Sequence, residues 1–414
     1  MENRRVVITG VGIVSPNGIG IQNFWDSLLH GRSGIGKITH FDASSYSSQV
    51  AGEVNDFDPT NYMSPKNARR MDRFAQFSVA ATRMALDDAR IEISEKNSER
   101  IGISLGSALG GIPCAEEQHS IFLEKGLHRV DPLIAIKIFS GASTSQISVE
   151  FGIKGYSNTI GGACAAGTDS VGYAFYAIKN NLADTMIAGG SEAPIVPLTF
   201  GAFCLIKALS TRNGDPTRAS RPFDKERDGF VMGEGAGVLI LEDLGCALKR
   251  GVPVYAEILG YGTTNDAYHM VQPLPTGEQA KKAIQLALCS ANVSPYEIDY
   301  INAHGTSTPL NDKVETEVIK EVLGEYAYRV PISATKSMIG HALGAAGSIE
   351  LIASVLTIKN QFIHPTINYE FPDPECDLDY VPNKGKRASV NTVLKNSYGF
   401  GGKNSSIIIR KFSF

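Results

Sequence analysis

The sequence lacks a long apolar run: nowhere in its 414 residues is there the stretch of roughly 18 apolar positions that a membrane-spanning helix requires. It also lacks a strong charge of one sign. A formal net charge of −4 sets up no overall field to draw in DNA, RNA or an anionic membrane. The opening, Met1-Glu2-Asn3-Arg4-Arg5 followed by Val6-Val7-Ile8-Thr9-Gly10, interrupts its apolar run too soon for a signal-peptide core and reads as a first strand. Cysteines are few and scattered: Cys114, Cys164, Cys204, Cys246, Cys289 and Cys376 form no C-x-x-C pair and no cluster with histidine. That excludes the usual structural zinc spacings and suits reduced thiols, mostly buried as small hydrophobes. The Gly10-x-Gly12-x-x-Ser15 stretch lacks the third glycine of a dinucleotide fingerprint, and Pro16 blocks an immediate helix. The expectation is a cytosolic globular protein with no metal, no bound cofactor, no nucleic acid and no membrane as partner.

What is present is an ordinary globular composition, 43% hydrophobic and 20% charged, in a chain long enough for two or three domains. Short apolar runs at residues 6–8, 101–105, 186–188, 238–241, 254–259, 300–303, 330–333 and 406–409 read as buried strands. Residues 71–89 and 314–323 carry apolar side chains at helical spacing, the second ending at Gly324 as a C-cap. Strands alternating with helices predict an α/β architecture. The charged Leu248-Lys249-Arg250-Gly251-Val252-Pro253 joint divides the chain into 1–251 and 252–414, and the two halves show no convincing direct repeat.

Four segments carry candidate chemistry. Cys164 lies between the extended run 157–160 and a helix-compatible stretch, 170–181. A thiol there would sit at a helix N-terminus, where unpaired N–H groups and the dipole favour thiolate. A buried inert cysteine is an equally good reading of this segment alone. His304 stands where the apolar strand 300–303 stops and a hydroxyl-rich turn, Thr306-Ser307-Thr308, begins. Side chains at carboxyl ends of strands face the usual ligand crevice of α/β sheets, yet a lone histidine there is equally a structural residue. Lys336 and His341 leave the end of strand 330–333, and Glu350 follows in an apolar helix where a carboxylate needs a partner; Lys336 is the natural one, in a catalytic or a purely structural pair. Last, Gly399-Phe400-Gly401-Gly402 frames one aromatic with glycines, as a mobile carrier, as a source of backbone N–H groups for a ligand, or as a plain turn.

Together these segments resemble the β-ketoacyl-[acyl carrier protein] synthase II family of elongating condensing enzymes. The resemblance runs from residue 5 to residue 411 through Ala163-Cys164-Ala165, Ala208-Leu209-Ser210, Ser220-Arg221-Pro222-Phe223-Asp224, Arg227 to Gly235, Asp266-Ala267-Tyr268-His269, Asn302-Ala303-His304-Gly305-Thr306, Thr335-Lys336-Ser337, Gly340-His341 and Gly399-Phe400-Gly401-Gly402. It implies a thiolase-like, five-layered α-β-α-β-α fold of two similar halves, and a homodimer. It implies that Cys164 carries an acyl chain as a thioester. His304 and His341 would stabilise the enolate left when malonyl-[acyl carrier protein] loses CO2, and the N–H groups of Cys164 and Phe400 would form an oxyanion hole. Lys336, paired with Glu350 and supported by Asp312, would hold the histidines. Phe400 would gate the sulfur and the Asp266 loop would move with it. Thr306 and Thr308 would bind the pantetheine arm, and Lys66, Arg69, Arg70 and Lys207 would dock the acidic acyl carrier protein, although solvated surface charge is an equal reading of these four.

Two positions depart from the pattern. Lys403 follows the glycine loop where the family often has histidine or threonine, and Pro132-Leu133-Ile134 replaces an aromatic-rich segment beside the acyl pocket. With Leu109, the latter leaves chain-length preference open. Rival readings are a ketosynthase of a polyketide or other specialised acyl pathway, a degradative thiolase, and a non-catalytic chain-length subunit. The Asn-Ala-His-Gly-Thr motif argues against the thiolase, and the presence of Cys164 against the subunit.

Overall fold

A computed structural model describes residues 4–413. Met1, Glu2, Asn3 and Phe414, which the sequence reading places in the two halves, lie outside the described residues. The main strands are β1 (Val6–Ser15), β2 (Ile101–Gly106), β3 (Ser157–Ile160), β4 (Thr185–Glu192), β5 (Gly235–Asp243), β6 (Ala256–Asn265), β7 (Tyr300–Asn302), β8 (Ile332–Ser333), β9 (Thr392–Gly399) and β10 (Lys403–Arg410). The helices that cover them are α1 (Arg73–Asp88), α2 (Ala142–Phe151), α3 (Ala166–Lys179), α4 (Glu278–Ala291), α5 (Pro309–Leu323) and α6 (Ala346–Asn360). Every strand expected from the apolar runs is present. The sequence reading marked no strand over residues 392–399, where the structure has β9.

The strands hydrogen-bond in the order β8-β7-β9-β10-β6-β1-β5-β4-β2-β3. Outward from the central β6–β1 pair, the two sides are the same. β1–β5 and β5–β4 are antiparallel while β4–β2 and β2–β3 are parallel. β6–β10 and β10–β9 are antiparallel while β9–β7 and β7–β8 are parallel. Each half is thus β-α-β-α-β-α-β-β. Helix α1 covers one face of the first half and α4 one face of the second, while α3 and α6 pack together between the two sets of strands. These are the five expected layers.

Burial pattern follows layer. The outer helix α4 buries a single stripe, Ala280, Ala283, Ile284, Ala287 and Leu288, at the spacing of one helical face. The central α6 is buried on every side from Ala346 to Ile358, which is why it reads apolar all round.

The two similar halves implied by the resemblance are present, and with them a short repeat in the letters that the sequence reading did not find convincing. Ala165-Ala166-Gly167 and Ile178-Lys179-Asn180 around α3 recur as Ala345-Ala346-Gly347 and Ile358-Lys359-Asn360 around α6, at one constant spacing. The first strand of each half carries a bulge at the same place, between Ile8 and Gly10 and between Ile258 and Gly260. Thr9-Gly10-Val11-Gly12 therefore has a packing purpose. A Cβ on Gly12 would lie 1.9 Å from the Ala81 carbonyl oxygen of α1, and one on Gly262 would lie 2.3 Å from the Ala283 oxygen of α4. Both glycines let a helix backbone approach the strand closely.

Candidate active site

The equivalent strand–turn–helix corners of the two halves meet. Ala163 and Leu343 both adopt left-handed backbone, with φ 48° and 41°, one residue before Cys164 and Gly344. That conformation costs an L-residue roughly 1–2 kcal/mol, and at Cys164 it turns the thiol into a cavity of about 510 Å³. His304, His341, Phe400, Thr306, Thr308 and Leu109 line the same space, as does Asp266. His304, His341 and Phe400, each 140 or more positions from Cys164 in the chain, are thereby brought into its cavity.

The thiol is buried, only 8% exposed. Burial pushes it up to about 11, against the Lys336 charge and the backbone N–H groups of Phe400 and Cys164, while Glu192 adds to the rise. At neutral pH the resting group is the thiol, since ionising it there costs roughly 5 kcal/mol. The expectation that the helix end favours thiolate is therefore corrected: loss of solvation outweighs the dipole in the unloaded site. Those same two N–H groups converge beside the sulfur, where a thioester oxygen would sit.

Burial also holds both histidines well below the ordinary imidazole range, reinforced by Lys336 and Lys395 and, for His304, by His341. Both are neutral at pH 7. Their rings meet edge to face with centroids 5.3 Å apart, and His341 also abuts Phe230 at 5.3 Å. The N–H groups of His304 and Gly305 donate to the Glu315 carboxylate at 2.8 Å each. Lys336 donates to Glu350, to the His304 carbonyl at 2.6 Å and to His304 Nδ1 at 3.2 Å. An ammonium group can only donate, so Nδ1 is the acceptor and the His304 ring proton sits on Nε2. Lys336 and Glu350 thus lie behind His304 and off the cavity wall, and Lys336 acts through the imidazole.

The loop after His304 is held by Asp312, which accepts N–H bonds from Thr306 at 3.0 Å, Ser307 at 3.1 Å and Phe223 at 2.8 Å. The Thr306 and Thr308 hydroxyls are 2.9 Å apart. Behind the part of the wall made by Ala108 and Leu109, the buried Glu192, pushed up to about 7 by burial, accepts from Ala108 N–H at 2.6 Å, Leu109 N–H at 3.1 Å and Gly344 N–H at 3.0 Å. It fastens the wall of the first half to the corner of the second.

Phe400 sits on the β9–β10 turn with its ring stacked on Phe203, centroids 6.2 Å apart. Gly401 and Gly402 have φ of 75° and 72°, which glycine adopts at little cost. The turn is tied to the Asp266 loop: Asp266 N–H donates to the Gly402 carbonyl at 2.8 Å and Gly401 N–H to the Met270 carbonyl at 2.8 Å. Asn404 Nδ2 also reaches Asp266 Oδ1 at 2.6 Å. Lys403 begins β10 with its side chain exposed.

Of the basic residues, Lys207 stands at the cavity rim, while Lys66, Arg69 and Arg70 are exposed on and just after the short helix Pro65–Ala68 and line no part of it. Leu109 lines the cavity but Pro132, Leu133 and Ile134 do not. Sequence reasoning missed Glu192, Glu315 and Lys395. The available signal was a charged residue inside an apolar run, as in Val393-Leu394-Lys395.

Among the described residues no helix is long and apolar enough to cross a membrane. Comparison with known proteins agrees with the geometry. The β-ketoacyl synthase N-terminal domain family matches residues 3–247 and the β-ketoacyl synthase C-terminal domain family residues 255–370. A curated relative from Synechocystis, a 3-oxoacyl-[acyl-carrier-protein] synthase 2, is 47% identical and covers 100% of this chain and 99% of its own. Its namesake from Coxiella burnetii is 45% identical over 99% of both chains. Among solved structures, a ketosynthase in complex with a type II polyketide acyl-carrier protein superposes with a TM-score of 0.91 at 38% identity, covering 99% of this chain and 100% of that one. A β-ketoacyl synthase from Burkholderia phymatum superposes with the same TM-score at 33% identity and the same coverage. On this evidence of sequence, fold and site, the chain belongs to the β-ketoacyl synthase family.

Proposed function

We propose that this chain performs a decarboxylative Claisen condensation in fatty acid elongation, with Cys164 as the acyl carrier. The observation that carries the reading is a pair of neutral imidazoles sharing one cavity with a cysteine, one of them locked by Lys336 as an Nε2–H donor. In the first half-reaction the Cys164 sulfur attacks the thioester of an acyl-[acyl carrier protein]. Its proton leaves to the departing carrier thiol, and the oxyanion is met by the N–H groups of Cys164 and Phe400. In the second, the carboxylate of malonyl-[acyl carrier protein] departs as CO2. The bonding pair it leaves becomes an enolate, whose oxygen accepts hydrogen bonds from the histidines. The enolate carbon attacks the Cys164 thioester, and collapse expels the thiolate and gives the β-ketoacyl product. Neutral imidazole N–H groups can hydrogen-bond this developing negative charge while holding their protons.

The curated relatives at 45–47% identity, all 3-oxoacyl synthases, support primary elongation over the polyketide alternative, for which the 38% identical ketosynthase speaks. The same proposal divides the chain at residue 251 into a cysteine half and a histidine half, and includes docking of the carrier protein by Lys207 at the rim with Lys66, Arg69 and Arg70. A homodimer is part of it, supported by the free sheet edge at β3 beside exposed Tyr156. A cytosolic location is supported by six unpaired thiols. The test is mass spectrometry of the protein after incubation with a series of acyl-carrier proteins. A covalent acyl group on Cys164, lost in Cys164→Ala, is expected; an adduct that persists in the variant would reject the nucleophile.

A further inference from the structure

Lys395 is the second buried lysine of the site. It lies on β9, where its backbone pairs with Asn302 on β7 and Ile407 on β10, and it is 0% exposed. Its ammonium contacts three oxygens of three kinds: the Asn396 carbonyl, the Ser397 hydroxyl at 2.9 Å and Glu350 Oε2 at 2.7 Å. The other Glu350 oxygen is held by Lys336. Ser397 in turn hydrogen-bonds Thr168 on α3 at 2.7 Å, one turn past Cys164. A continuous row therefore runs from the cysteine helix through Ser397, Lys395, Glu350 and Lys336 to His304.

A Lys336–Glu350 pair would be neutral and complete by itself. A second ammonium in a sealed interior carries a large desolvation cost, which shows in the lowering of the Lys395 pKa by burial. Its charge is felt at both His304 and His341. The groups facing it are Glu350 on α6, Lys336 on the short helix Lys336–Ile339 and Glu315 on α5. Lys336 is the charge that acts most strongly on the Cys164 thiol, and Lys395 lines no part of the cavity. We infer that Lys395 is a positioning residue for the decarboxylation half-reaction: it shares Glu350, so that Lys336 keeps its remaining donors on His304. The inference rests on the condensation reading above.

The oxygens around Nζ also define what could replace it. A carboxylate, a carbonyl and a hydroxyl suit any small monovalent cation, ammonium included. The experiment compares the full-length parent, Lys395→Met and Lys395→Ala in two assays: CO2 release from malonyl-[acyl carrier protein], and acyl loading of Cys164. Lys395→Met is expected to slow CO2 release by about 10- to 100-fold and to leave loading within about threefold, since Lys395 stands off the cavity and reaches it only through Glu350 and Lys336. Ammonium chloride should restore CO2 release in Lys395→Ala and not in Lys395→Met, whose side chain fills the space. Equal losses in both assays would reduce Lys395 to a structural residue and overturn the inference. So would an unchanged rate of CO2 release, or a Lys395→Ala variant indifferent to ammonium. If the parent itself neither loads nor releases CO2, the condensation reading fails, and this inference with it.

Discussion

Replacing Lys336 with methionine removes three hydrogen bonds while keeping most of the side-chain volume. The ammonium donates to Glu350, to the His304 carbonyl at 2.6 Å and to His304 Nδ1 at 3.2 Å. Stranding a buried charge outright costs about 3–5 kcal/mol, but Glu350 keeps Lys395 at 2.7 Å, so that full cost does not arise. Two acceptors on His304 are orphaned at about 1–3 kcal/mol each, partly offset by relaxation. The expected loss of stability is about 2–4 kcal/mol, readable in urea unfolding. The functional loss is larger in proportion. Without a donor on Nδ1 the ring proton is free to choose either nitrogen, and the Nε2–H facing the cavity is no longer enforced. Removing one preorganised donor from a site of this kind costs about 100- to 1,000-fold. The assay is release of labelled CO2 from malonyl-[acyl carrier protein], run beside acyl loading of Cys164. A folded Lys336→Met protein that releases CO2 within about threefold of the parent would refute the argument, because the imidazole would then need no lysine to orient it.

Two further outcomes are expected. With its thiol pushed up to about 11, Cys164 gains thiolate as pH rises, so its alkylation rate by iodoacetamide should climb about tenfold per pH unit from 7 to 10. A plateau below pH 9, read by peptide mass spectrometry, would contradict the neutral resting thiol. Gly12→Ala and Gly262→Ala should each destabilise the protein by about 2–4 kcal/mol in urea unfolding, since each forces a helix off its strand; a tolerated substitution at either position would show that the close approach is not shared by the two halves.

Legibility differed from residue to residue. Buried strands such as β1 and β5 announce themselves as short apolar runs, because a strand covered on both faces has no polar side to show. β9 did not, since its Lys395-Asn396-Ser397 stretch is polar and becomes buried only through the ion row and Thr168. Glu350 was legible as a carboxylate in need of a partner, for it stands alone in an apolar helix. Glu315 was hidden in an ordinarily charged helix face, and only the fold turns it toward the His304 and Gly305 N–H groups. The docking candidates Lys66, Arg69 and Arg70 stay as undistinguished in space as in the chain, exposed and away from the cavity.

By itself the chain of letters determined which residues could do chemistry and where they leave their strands, because strand ends, glycine turns and apolar periodicity are local properties. Tertiary structure alone decided that the halves pack together through α3 and α6, that the resting sulfur holds its proton, and that a second lysine stands behind the histidines. The physical reason is that desolvation and through-space charge depend on what surrounds a group from every direction, and those neighbours come from segments far apart in the chain.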